Sequence, residues 1–236
     1  MNMGKSICFL FCLAAAGLVF SCTGFFSTSL ATWAARDPNA VLPPVTTGNV
    51  TDLISSSENN PDMSLAVLKK IKDAVDNASP ETASSLQAAA LQAAANASNM
   101  GPTLLNKVAN ISDVTDNMDD AKQLVIDTIN EMSNLSETSS TLTAVLPEPG
   151  TPSFDAFIEK ANADDLATAA AVLIAAEAKG KVDGDEFINN FDPANPDLSS
   201  SAVLAIELAK AASQKYENGS SGSRLKDIIA GLNLIP

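Results

Sequence analysis

The chain has 236 residues, enough for a real hydrophobic core in one domain or two small ones. Its 28 acidic side chains outnumber 14 basic ones for a net charge of −14, which argues against nucleic acid and against electrostatic attraction to anionic lipid, because both need Lys and Arg. With no histidine, 5% aromatics and an apolar content drawn mostly from Ala, Leu, Val and Ile, imidazole metal sites and His-based nucleophilic catalysis are excluded and an all-α fold is predicted.

The N-terminal stretch reads as an export signal. Lys5 supplies a positive start, Ser6–Phe20 carry no charge, and Ser21 is the small residue that precedes a cut. At about 15 residues the run falls short of the roughly 20 needed to cross a bilayer as a helix. Leu18-Val19-Phe20-Ser21-Cys22 resembles the lipobox of bacterial lipoproteins, and spirochaetal members are similar in tolerating a bulky residue such as Phe20. The resemblance covers this segment alone. It implies removal of residues 1–21, attachment of a diacylglyceryl group to the Cys22 thiol and acylation of the new N-terminus. Cys8 and Cys12 would leave with the signal, so Cys22 would be the mature chain's single cysteine and no internal disulfide could form. Two other readings of the same residues stay open: an ordinary secretory peptide cut after Ser29-Leu30-Ala31, and an uncleaved anchor continuing towards Trp33-Ala34-Ala35.

Thr23–Gly48 has no sustained periodicity and is punctuated by Arg36-Asp37-Pro38, Pro43-Pro44 and Thr46-Thr47-Gly48. Residues 22–48 are therefore expected to be a lipidated N-terminus and tether, spanning on the order of 30 Å as a coil. Trp33, Phe25, Phe26 and Leu30 would rest in the membrane interface or on the body.

Residues 49–236 are expected to be the helical domain. Asn60-Pro61-Asp62 and Ser79-Pro80-Glu81 each combine a capping side chain, a proline at the first helical position and an acid in the first turn. Asn195-Pro196-Asp197 repeats the pattern, and Gly101-Pro102 and Thr151-Pro152 are weaker versions. Leu65, Leu68, Ile71 and Val75 form one helical stripe, with Lys69, Lys70, Asp73 and Asp76 opposite. Leu124, Val125, Ile129, Met132 and Leu135 form a second. Leu166–Ala178 and Ala202–Ala212 are apolar nearly all the way round and should be buried on several faces. The alanine-rich run Leu86–Ala97 should let a neighbouring backbone approach closely.

Three stretches, Leu86–Val108, Val172–Phe191 and Val203–Ile228, share an Ala-rich helix, a Gly-containing loop and a short apolar helix. Helical hairpins stacked on one another read this way. The junction Ser55–Val75 also resembles the joint between tetratricopeptide repeats, which implies helical hairpins. The expected architecture is hairpins packed as a compact bundle or a short α-solenoid. Pro147–Pro152 is the strongest break, either a lobe boundary or a long surface turn. Arg224–Leu234 should be a short helix docked on the body.

No catalytic, cofactor-binding or metal-ligating residue is expected, and the chain is not read as an enzyme. Asp183-Gly184-Asp185-Glu186 lacks the frame of a calcium loop and reads as a turn feeding a helix N-terminus, as does Asp119-Asp120. A carboxylate-pair glycosidase would need sugar-stacking aromatics that are scarce here. Asn-x-Ser/Thr sequons stand at Asn49, Asn77, Asn96, Asn110, Asn134 and Asn218, several of them where Asn and Ser would serve as helix caps. The function expected is that of an envelope lipoprotein, periplasmic or surface-facing, anchored to a membrane through Cys22 and acting as an interaction scaffold for an envelope protein partner. The alternative is a lipoprotein with a cavity for a small apolar ligand, lined by Leu173, Phe187, Phe191 and Leu204.

Overall fold

The computed structural model describes residues 42–100, 126–129, 131–195, 197–219, 225, 226, 230 and 234. None of the described residues is in a strand, and eight helices have defined bounds. They are α1 (Val50–Ser57), α2 (Pro61–Val75), α3 (Pro80–Ala97), α4 (Leu135–Val145), α5 (Pro152–Lys160), α6 (Ala163–Lys179), α7 (Gly184–Asn189) and α8 (Ser200–Asn218). Residues 126–129 are also helical. The fold of the body is all-α, with its helices packed together around one apolar cluster.

The local start signals are used much as their chemistry dictates. Asn60 Oδ1 accepts from Met63 N at 3.1 Å to open α2, and Ser79 Oγ accepts from Thr82 N at 3.5 Å to open α3. Thr151 Oγ1 accepts from Phe154 N at 3.3 Å while donating to Glu148 O at 2.7 Å, so one hydroxyl ends the proline-rich turn and opens α5. Each cap of this kind is worth about 1 kcal/mol.

Asn195-Pro196-Asp197 behaves differently from its two homologous patterns. Asn195 Oδ1 accepts from Asp197 N at 3.0 Å, closing a local turn, and α8 begins only at Ser200, where Ser199 Oγ accepts from Ala202 N at 3.1 Å. The short Asn side chain satisfied the nearer backbone N–H, which left the cap to the serine. The second predicted stripe is also interrupted. Ile129, Met132 and Leu135 are all buried, but residues 131–134 leave the helix and Asn134 takes a left-handed φ of 52°. Ser133 N then donates to Ser98 O at 3.2 Å, a bond between distant segments that no periodicity foretells.

α2 and α3 form one hairpin, closed by the turn 76–79. α6 and α8 form the most extensive pair and run antiparallel, since Tyr216 Oη donates to Asp164 Oδ1 at 2.6 Å and Ser199 Oγ to Glu177 Oε1 at 2.6 Å. α3 lies against α1, α2, α4, α5 and α6, and α6 against α3, α4, α7 and α8. These two helices are the centre of the body. The alanines explain why: Ala90, Ala94 and Ala97 of α3 and Ala169, Ala170 and Ala175 of α6 are 0% exposed, and small side chains let several neighbours come close at once.

Phe157 anchors short α5 with 0% exposure, its ring edge-on to Phe154 at 5.8 Å. Burying such a ring contributes roughly 1.5–3 kcal/mol. Gln87 of α3 donates to Val145 O at 3.0 Å, tying the end of α4 to the central helix just before the proline-rich turn. Helices before that turn therefore share a core with helices after it. The body also takes in Leu42–Gly48, which the absence of periodicity had assigned to the tether. Val45 is buried in the core, and Asn49 clamps the segment by accepting from Thr46 N at 2.8 Å and donating to Pro44 O at 3.0 Å. Side-chain burial, with no regular structure, is what orders it. At the other end Leu234 is buried and Leu225 packs on the core.

Candidate functional site

α6 ends at Lys179, and Gly180 N closes the helix on Ala176 O and Glu177 O, each at 3.1 Å. The turn that follows is short because Asp183 caps α7, its Oδ1 accepting from Glu186 N at 3.2 Å. It is also tight. A Cβ on Gly184 would stand 2.7 Å from Ala178 O, so only glycine lets the first residue of α7 lie on the end of α6. The sequence Asp183-Gly184-Asp185-Glu186 is thus the start of a helix, as its acids suggested.

α7 buries Ile188 and carries Phe187, and Phe191 follows just beyond its end, the two rings edge to face at 5.6 Å. Phe191 is buried and Phe187 half-buried. Beyond them the chain turns twice: Asp192 Oδ1 accepts from Ala194 N at 2.9 Å, and Asn195 closes the turn already described. Leu198 then packs against the core. Between α7 and this return lies an open groove of about 360 Å³, with Phe187, Phe191 and Leu198 among its apolar walls and Asp183, Glu186 and Asp192 on its rim. Lys181 reaches over it, Nζ 5.6 Å from the centre of the Phe187 ring, and Val182 beside it is fully exposed.

A second cleft, of about 390 Å³, lies where α6 begins and α8 ends, lined by Asn162, Asp164, Asp165, Lys215 and Tyr216. Burial pushes the Asp165 carboxyl above its ordinary 3.8; the hydrogen bond from Asn162 opposes this, and the neighbouring Asp164 adds to it. Asn162 Oδ1 also accepts from Asp165 N at 2.8 Å, so the cluster is the N-cap of α6 closed on itself. Its polar groups are spent on the fold.

Cys22 lies outside the described residues, as do Asn110, Asp119, Asp120 and Gly101-Pro102. Of the four residues proposed for a ligand cavity, Phe187 and Phe191 face the groove, whereas Leu173 and Leu204 are 0% and 3% exposed within the core. Leu173 and Leu204 do not line this groove. Lys181, Asp192 and Leu198 complete the groove instead. The Phe187–Phe191 spacing and the lysine just after α6 were the available signal, but the turn that brings Asp192 and Leu198 back had none.

The five sequons among the described residues sit at helix ends. Asn49 precedes α1, Asn77 follows α2 and donates to Asp73 O at 3.1 Å, Asn134 precedes α4 and donates to Asp62 Oδ1 at 2.9 Å, and Asn218 ends α8 and donates to Gln214 O at 2.8 Å. Asn96 is buried near the end of α3, and its Nδ2 has no hydrogen-bond partner among the described residues. Among the described residues no cluster of three or more Cys, Asp or Glu is placed to hold a metal ion, and no helix is long and apolar enough to cross a membrane. No protein family, curated protein or solved structure that was compared matches this chain.

Proposed function

We propose that this chain is a bacterial envelope lipoprotein, held to a membrane by acyl chains on Cys22, whose helical body serves as a scaffold for another envelope protein. The observation that carries the anchor is the uncharged run Ser6–Phe20 ending in Ser21-Cys22. Each buried methylene of an acyl chain contributes about 0.8 kcal/mol, and two or more chains hold a protein stably where one does not. With a net charge of −14 the chain gains nothing from anionic lipid, so the acyl chains would carry the attachment.

What supports a scaffold over a carrier is the interior. α6 buries eleven of its side chains from Leu166 to Ala178, seven of them among its alanines and threonine, and the central helices meet closely there. The clefts described above are open to the surface. Recognition in such a molecule would take place on its outside, at helix ends and turns.

The test is a mass spectrum of the protein extracted from its own membranes under native conditions, beside a Cys22→Ala variant, with cross-linking in the intact envelope. Acyl mass on the native chain, absent from Cys22→Ala, together with release of the variant from the membrane, is the expected result. An unmodified chain beginning near Thr32 would overturn the anchor. A discrete cross-linked species with a second protein is expected of the scaffold; a small molecule that leaves on denaturation, with no cross-linked partner, would make the chain a carrier.

A further inference from the structure

We propose that the groove beside α7 receives a short segment of a partner protein that presents a Lys or Arg next to an apolar residue. The proposal rests on the scaffold reading and says which face of the body would be used. The floor is aromatic and the rim acidic: Phe187 is half-buried with Phe191 behind it, and Asp183, Glu186 and Asp192 stand around the opening. A long basic side chain suits both parts, its aliphatic stem lying on the ring and its charged head at the carboxylates.

The face of Phe187 already takes such a cation. Lys181 Nζ lies 5.6 Å from the ring centre and, among the described residues, Lys181 makes no ion pair. The chain's own ammonium therefore stands where an incoming one would, and an incoming segment would displace it. Leu198 in the groove wall, with Phe191, offers the adjoining apolar contact. Charge also selects the occupant. A second copy of this chain carries the same net charge of −14, and anionic lipid is likewise negative, so both would meet the rim with like charge. The groove, at about 360 Å³, is the size of one or two side chains rather than of a folded domain.

The experiment titrates the purified full-length chain in detergent with three acetylated hexapeptides, Arg alternating with Leu, Arg with Ser and Glu with Leu, and with spermidine as a small cation. Arg–Leu is expected to bind at least about tenfold tighter than the other three probes. Glu186→Gln and Phe187→Leu should each weaken it about three- to tenfold with the circular dichroism unchanged. Lys181→Gln, which frees the ring, should tighten it about threefold, whereas Lys160→Gln, which changes the net charge equally on α5, should leave it unaltered. Equal binding of Arg–Ser or spermidine would reduce the groove to general attraction for cations and overturn the proposal. So would insensitivity to both Glu186→Gln and Phe187→Leu. A partner cross-linked in the envelope through another face, with no Arg–Leu selectivity, would overturn the groove and leave the scaffold standing. Selective Arg–Leu binding with no cross-linked partner would uphold the groove's chemistry and count against the scaffold.

Discussion

Asp165 is the third residue of α6, and its relation to Asn162 is reciprocal: its N–H donates to Asn162 Oδ1 and its carboxylate accepts from Asn162 Nδ2. The geometry is that of a helix cap, yet burial dominates and raises the carboxyl's pKa, with Asp164 adding to the shift and Lys215 in the same cleft donating to Glu159 O at 3.4 Å. At pH values between the ordinary 3.8 and the raised folded value, the folded chain holds a proton that the unfolded chain has already released. Stability from this group therefore falls as pH rises from 3.8 through the folded value, and the cost is complete above it. Asp165→Asn keeps an acceptor for Asn162 and has no charge to bury. Its stability relative to the native chain should be greatest at pH 7 and shrink as pH falls towards 4, read by urea unfolding of both proteins at each pH. An advantage that grows on acidification would mean that the carboxylate is stabilised in the fold rather than penalised. The two left-handed residues, Asn99 at 56° and Asn134 at 52°, need no such compensation, since asparagine tolerates that region better than other side chains.

Helices in this body are placed by what their small residues permit. α3 has alanine at half of its buried positions, and among the described helices it touches five others; a leucine-faced helix of that length would hold its neighbours further off. α2 buries more than its stripe predicts, Ser64, Ala66 and Val67 included, because α1, α3 and α4 all reach it, and Ser64 Oγ satisfies itself on Ser57 O at 2.8 Å. The junction of α6 with α7 is the tightest case. Gly184→Ala would drive a Cβ to 2.7 Å from Ala178 O, a backbone atom that cannot swing away. We expect a loss of about 1–3 kcal/mol in chemical unfolding, the range for overpacking a close contact. Gly180→Ala is the control: its Cβ would meet Glu177 O at 3.4 Å and φ is −79°, so stability should be unchanged or higher by less than about 1 kcal/mol. Equal effects at the two glycines would show that α7 is not held by this approach.

At the scale of the whole molecule, the surplus of 28 acids over 14 bases sets a background repulsion that the few described ion pairs do little to offset. Lys69–Glu137 at 2.6 Å joins α2 to α4, but both side chains are exposed enough for water and salt to screen them. Raising ionic strength from about 10 mM to about 150 mM shortens the screening length from about 30 to about 8 Å. The melting temperature of the full chain should rise by about 2–4 °C, equivalent to roughly 1 kcal/mol at this size. A fall on adding salt would mean that attractive pairs outweigh the net charge. The same acidity is the basis of the selectivity proposed for the groove beside α7, and it leaves Cys22 as the proposed point of attachment to a membrane.

The sequence by itself determined the features that depend on a few neighbouring residues. Scarce aromatics and abundant alanine pointed to helices, and Asn60, Ser79 and Thr151 marked where three of them start, because a cap is decided by the next three backbone N–H groups. Leu166–Ala178, apolar all round, could be recognised as central for the same local reason. Only the tertiary structure decided the rest. It moved the start of α8 from Asn195 to Ser199, broke the stripe at residues 131–134 so that Ser133 could reach Ser98, and drew Val45 out of an apparent tether into the core. It buried Leu173 and Leu204 while turning Phe187 towards a groove completed by Asp192 and Leu198. Each of these outcomes depends on which distant surfaces meet, and an alanine-rich helix, apolar on every side, does not name its partners in advance.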